Sequence, residues 1–106
     1  MTLEISTDFQ GQTVVSTFEM TPGTCTDVLD ALTDAYDKVI RLQPGFLGGA
    51  IHVNDAQTRI STYSRWGQRQ DFQAMLRTTE MRERNRAIAA MCSRFEPCMY
   101  EVAAVF

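Results

Sequence analysis

Apolar positions recur at helical spacing between about Asp27 and Leu42, where Val28, Leu29, Leu32, Ala35, Tyr36, Val39 and Ile40 gather while Asp30, Asp34, Asp37 and Lys38 fall largely opposite. That stripe predicts an amphipathic helix. Upstream, Val14 to Met20 alternates well enough for a first strand, ended by Thr21-Pro22-Gly23. Downstream, Pro44-Gly45 stops the helix and opens two strands, Phe46 to His52 and Ile60 to Trp66, and Gly67 breaks the second. The segment Arg69 to Arg77 sets Phe72, Met75 and Leu76 on one side of a short helix, and Glu80 to Cys92 continues with a stripe of Met81, Ile88, Met91 and Cys92. Pro97 closes this region. Met99 to Phe106 reads as a last strand, and its run Val102-Ala103-Ala104-Val105-Phe106, apolar at both parities, predicts burial on both faces.

Strand, helix, strand, strand, helix, strand is the order of an α+β sandwich of ferredoxin-like type, with helices covering one face of a four-stranded antiparallel sheet. Residues 1–12 are polar and unpatterned, which predicts an N-terminal arm ahead of one domain over 13–106. Leu47, Ile51, Val53 and Tyr63 are expected on the sheet face without helices. A symmetric homodimer packed sheet against sheet would cover them.

The strand pair carries the candidate site. With the connection turning about Ala56, one face holds Phe46, Gly48, Ala50, His52, Ile60, Thr62, Ser64 and Trp66. Bulky groups stand at the ends and small ones in the middle. A helix laid over such a face leaves room for a flat molecule between Trp66 and His52, although small strand residues serve equally to admit large helix side chains.

Composition narrows the classes. The chain has 106 residues, 44% of them hydrophobic, enough for one core, and no apolar run long enough to span a membrane. Met1 to Gln10 lacks the features of a signal peptide, so a cytoplasmic address is expected. Three cysteines, Cys25, Cys92 and Cys98, without paired spacing read as structural thiols rather than a disulfide framework. The formal charge is −3 and the densest basic group, Arg82, Arg84 and Arg86, is interrupted by Glu83 and Asn85, which argues against nucleic acid. Metal-ligand spacing, a glycine-rich nucleotide fingerprint and a serine nucleophile elbow are all missing, so neither metal nor cofactor is expected.

Pro44-Gly45-Phe46-Leu47 at the start of a strand, and Tyr63-Ser64-Arg65-Trp66 leading into a helix with Asp71-Phe72, resemble the antibiotic biosynthesis monooxygenase superfamily over about residues 13–106. The second piece, similar to a Tyr-x-x-Trp signature, is the more specific. The resemblance implies a dimeric ferredoxin-like α+β barrel. Within the superfamily the chain is most similar to cofactor-free oxygenases that convert anthrones or phenols of aromatic polyketide pathways into quinones. His52, Trp66 and Arg86 match positions associated with the substrate pocket there. Two residues depart: Thr62 stands where that branch has Asn, and Phe72 where some members have Tyr.

That chemistry assigns roles. An electron-rich aromatic enolate can pass one electron to dioxygen unaided, so a protein need supply deprotonation, a cavity of low polarity and hydrogen bonds to the developing oxyanion. Arg86 would favour the anionic substrate, Trp66 would offer a stacking wall, His52 would accept the acidic proton and Thr62 would anchor a carbonyl or hydroperoxide. Phe72, Phe46, Ala50 and Ser64 would line the substrate pocket. A cyclase or isomerase working on the same enolate without oxygen, or a ligand-binding dimer without turnover, would use the same pocket.

Overall fold

Pro22 starts the first helix at the position where a missing N–H costs least, and from there Cys25, Val28, Leu32 and Ala35 turn inward at intervals of three and four. The computed structural model describes residues 4–106. Its elements are β1 (Gln12–Glu19), α1 (Pro22–Lys38), β2 (Phe46–Val53), β3 (Arg59–Trp66), α2 (Arg69–Arg77), α3 (Thr79–Ala90) and β4 (Arg94–Tyr100), with a short 3-10 turn at Ile40–Leu42. Helix α1 therefore ends four residues before the apolar stripe does. Of the expected arm, Met1 to Leu3 lie outside the described residues.

All strand pairs are antiparallel in the order β2-β3-β1-β4, and the helices cover one face, as a ferredoxin-like sandwich requires. The expected dimeric α+β barrel is corrected here. Strands β2 and β4 end the sheet as edges, so the sheet is open, and the single chain buries its core under helices instead of by closing.

The last strand is also displaced from its expected place. It comprises Arg94–Tyr100, antiparallel to β1, with Phe95, Pro97 and Met99 opposite Phe18, Ser16 and Val14. Pro97 is tolerated because β4 is an edge with a single neighbour. Residues 101–106 have no regular structure, and Val105 and Phe106 are exposed, so the expected double burial does not occur.

The register of the β2–β3 hairpin decides which residues reach the core. A bulge between Phe46 and Gly48 leaves Phe46 opposite Trp66 but sets Gly49 opposite Ser64, Ile51 opposite Thr62 and His52 opposite Ser61. One extra residue in a strand reverses the facing of everything beyond it. Ile51 consequently points to the helices, while Ala50 and His52 point away.

Gly45 and Gly67 tie this hairpin to the start of α2. Gly45 has φ +85°, and a β-carbon there would overlap the Asp71 carboxylate. That carboxylate accepts from the Gln68 N–H at 3.0 Å, closing the capping box that starts α2. The Gly67 N–H donates to the Gly45 carbonyl at 2.7 Å. The Pro-Gly turn, the end of β3 and the first turn of α2 thus form one junction, and it fixes Trp66 and Phe72 in the core.

Helix α3 is held at its start and at its middle. Thr78 caps it, accepting from the Met81 N–H at 3.2 Å, and Arg84 donates to Asp34 on α1 at 2.7 Å. On the opposite sheet face the Arg65 guanidinium lies 4.1 Å from the ring centroid of Phe9, so part of the N-terminal segment is packed against the sheet.

Candidate functional site

The buried apolar residues fall into two groups. One gathers Val14, Ala35, Val39, Ile40, Trp66, Phe72, Met75 and Met81, and the other gathers Phe18, Met20, Cys25, Val28, Leu32, Ile60 and Ile88. Between them the sheet presents hydroxyls: Ser16 and Thr62 face each other across β1 and β3, and Ser64 follows two residues along. All three are buried. Small polar side chains at the seam keep the two apolar groups from closing on one another.

A cavity of about 30 Å³ occupies the seam, and Tyr36, Thr62, Ser64, Phe72, Met75 and Asn85 are among its walls. Leu76, Asn85, Phe95 and Pro97 also line a groove of about 480 Å³ between α3 and β4. These four residues are the common wall of a small interior space and a large open one. The groove adds Arg82, Arg86 and Ala89, which share one face of α3 with Asn85 at offsets of three, four and seven. A second surface groove, about 360 Å³ along the β2 edge, has Tyr36 in common with the cavity.

Tyr36 is the residue that sequence reasoning left in the helix stripe as core. Burial pushes its phenol above the ordinary tyrosine pKa, and the neighbouring Thr62 and Ser64 hydroxyls offset this only in part. It therefore stays protonated across the neutral range, able to donate. Ser16 and Asn85 were missed as well. The helical stripe places Tyr36 inward but says nothing of which strand residues it meets; the strand register supplies that.

The expected site residues separate. Thr62, Ser64 and Phe72 line the cavity together. Arg86 lies at the groove, exposed, with Arg82 one turn before it. Trp66 lines neither space. It is wholly buried, with its indole N–H donating to Ser64 Oγ at 3.0 Å and its ring edge-on to Phe46 and Phe72 at 5.3 and 5.8 Å between centroids. Its contact with the site runs through Ser64, so it is a supporting residue and not a stacking wall. Phe46 packs against Trp66 and Tyr36 and lines the β2-edge groove. His52 lies on the other side of the sheet, in a depression with Asn54, Arg59 and Ser61, and Ala50 pairs with Tyr63 on that same side. The bulge removes both from the cavity.

Among the described residues no group of three His, Cys, Asp or Glu side chains is placed to hold a metal ion, and no helix is long and apolar enough to cross a membrane.

Residues 12–87 match the family described as antibiotic biosynthesis monooxygenase. No curated protein matches the chain by sequence. Among solved structures the chain is similar to a monooxygenase of Streptomyces coelicolor in complex with nanaomycin D, at 20% identity and TM-score 0.78 over 91% of this chain and 90% of that one. A putative antibiotic biosynthesis monooxygenase from Nitrosomonas europaea aligns at 20% identity and TM-score 0.76, covering 88% and 92% of the respective chains. A cofactor-independent oxygenase of Streptomyces nogalater aligns at 16% identity and TM-score 0.69, covering 89% and 94%. At such identities these likenesses establish the fold.

Proposed function

The chain belongs to the antibiotic biosynthesis monooxygenase family, and from that premise we propose that it is a cofactor-independent monooxygenase oxidising a polycyclic anthrone or phenol to a quinone with molecular oxygen. The observation that carries this reading is the two-part space: a groove large enough for fused rings lies against a small hydroxyl-lined cavity, the two sharing Leu76, Asn85, Phe95 and Pro97 as walls. An interior of about 30 Å³ has room for only one or two small molecules, since one water needs about 10–15 Å³. The ring system lies in the groove with its reactive edge at Asn85 and Phe95, and dioxygen meets that edge from the inner side.

In the reaction the anthrone loses a proton to give an enolate, which passes one electron to dioxygen. Recombination forms a carbon–oxygen bond and, after protonation, a hydroperoxide. Breaking its O–O bond with loss of the second hydrogen on that carbon gives the carbonyl and water, so one oxygen atom enters the product and the substrate supplies all four electrons. Arg86 at the groove steadies the enolate oxygen, because guanidinium keeps its charge and offers two donors. Tyr36 with Thr62 supplies the proton to the departing oxygen, the part for which Phe72 has no group.

A second copy of the chain is expected on the helix-free sheet face. Thr13 Oγ1, Tyr63 Oη and Arg65 Nε are buried there without a hydrogen-bond partner, and Tyr100 is exposed. In this reading the chains form a homodimer in which each sheet remains open.

Incubation with a dihydroxyanthrone under air and under argon tests the oxygenase. Quinone formation with matching oxygen uptake under air, and none under argon, is expected. Equal product without oxygen would assign a cyclase or isomerase instead.

A further inference from the structure

Five of the ten Lys and Arg side chains meet a carboxylate. Lys38 and Arg84 meet Asp34, Arg41 meets Asp37, Arg59 meets Glu19, and Arg94 meets Glu96 and Glu19. Among the described residues Arg65, Arg69, Arg77, Arg82 and Arg86 have no carboxylate within ion-pair distance, and of these five Arg82 and Arg86 line the groove. They stand one turn apart on the same face of α3, and no Asp or Glu lines the groove they border. A chain of formal charge −3 thus keeps two positive charges without an ion-pair partner on the rim of this groove. Like charges at this spacing repel and weaken a helix, so the pair has no local structural return.

A single enolate oxygen needs one guanidinium. Arg86 lies beside Asn85, which lines both spaces, whereas Arg82 begins the α3 face one turn away. We infer that the groove selects an aromatic substrate that carries a carboxylate in addition to its phenolic oxygens, the carboxylate being held by Arg82 and shared with Arg86. This rests on the groove being the ring's seat. It goes further by naming an acidic side group as the feature that distinguishes the substrate from other fused-ring phenols. Two oxygens presented to a guanidinium form parallel charge-assisted hydrogen bonds, the geometry arginine fits best and lysine does not reproduce. Because the rim is exposed, the attraction is screened by salt.

The test is equilibrium binding, read by ligand fluorescence, of a dihydroxyanthraquinone carboxylic acid and its methyl ester to the full chain. The acid is expected to bind about tenfold more tightly than the ester at low salt, with the ratio shrinking as salt rises. Arg82→Gln should remove most of that preference while leaving the ester's affinity near its original value, and Arg82→Lys should restore only part of it. Arg82 is exposed on the helix, and an unchanged circular dichroism spectrum verifies the fold of each variant. Equal affinity of acid and ester for the unaltered protein overturns the inference, as does an Arg82→Gln loss that falls on both ligands alike. Quinone formation from a neutral dihydroxyanthrone is read separately, so a failed carboxylate preference leaves the oxygenase reading standing. Failure of both aromatic ligands to bind would remove the groove from each.

Discussion

The indole N–H of Trp66 donates to Ser64 Oγ at 3.0 Å, inside the protein and two residues away along the same strand. This bond is how the buried tryptophan reaches the cavity: the ring is sealed among Phe46 and Phe72, and its one polar atom donates to a hydroxyl that lines the cavity. Ser64→Ala leaves a buried indole N–H without an acceptor. A loss of about 1–3 kcal/mol in unfolding free energy is expected from urea denaturation. Trp66→Phe/Ser64→Ala should then cost less than the sum of the two single changes, because each removes a partner in the same bond.

Much of the fold was legible in the chain because its punctuation is strong. Thr21-Pro22-Gly23 and Gly67 follow the ends of β1 and β3 where expected, Pro44-Gly45 precedes β2, and the α1 stripe is regular although the helix itself stops at Lys38. The register was not legible. Leu47 is an ordinary strand residue in composition, yet the bulge at Phe46/Gly48 uses it as the extra one, and that single step turned His52 and Ala50 away from the cavity and Ile51 toward the helices. The final strand was misplaced for a related reason. Pro97 reads as a stop, but an edge strand accommodates it, so pairing with β1 ran through Arg94–Tyr100 and left the more apolar tail unpaired. Of the residues that line the two spaces, Thr62 and Ser64 were legible from the strand pattern, while Phe72 and Arg86 were singled out by the family resemblance. Tyr36 was hidden because a tyrosine in an apolar stripe resembles core until the hydroxyls opposite it are known.

The Gly45 junction makes a backbone prediction. Gly45→Ala must adopt a positive φ and push aside the Asp71 carboxylate that caps α2. Destabilisation of about 1–3 kcal/mol is expected. Gly23→Ala meets only Thr21 Oγ1, at 3.7 Å, and lies inside α1, so it should be stabilising by about 0.4–1 kcal/mol. Thermal melts of the two variants should move in opposite directions.

Asp34 gives a pH dependence with a definite sign. The Arg84 hydrogen bond, then that of Lys38, holds its carboxyl below the ordinary value of 3.8. The unfolded chain therefore binds this proton more readily, and the stabilisation is complete above the unfolded value and lost as pH falls through the folded one. Arg84→Gln should lower the urea midpoint at neutral pH, and its difference from the unaltered protein should shrink as the pH drops below about 4. A constant difference across that range would place the effect elsewhere.

Tyr36→Phe removes one oxygen atom and little volume from the cavity wall. Turnover of a dihydroxyanthrone should fall at least about tenfold with an unchanged melting temperature. Phe72→Tyr places a second phenol on the same cavity and should recover part of that loss in the double variant. His52→Ala, on the other side of the sheet, should turn over as the unaltered protein does.

The account stands most directly on where the new oxygen atom comes from. Turnover of a dihydroxyanthrone under isotopically labelled dioxygen in ordinary water, with prompt mass analysis, should give a quinone carrying one labelled atom and one equivalent of labelled water. A quinone whose new oxygen is unlabelled at the earliest time points, or product formed at the same rate without dioxygen, would contradict monooxygenation by this protein.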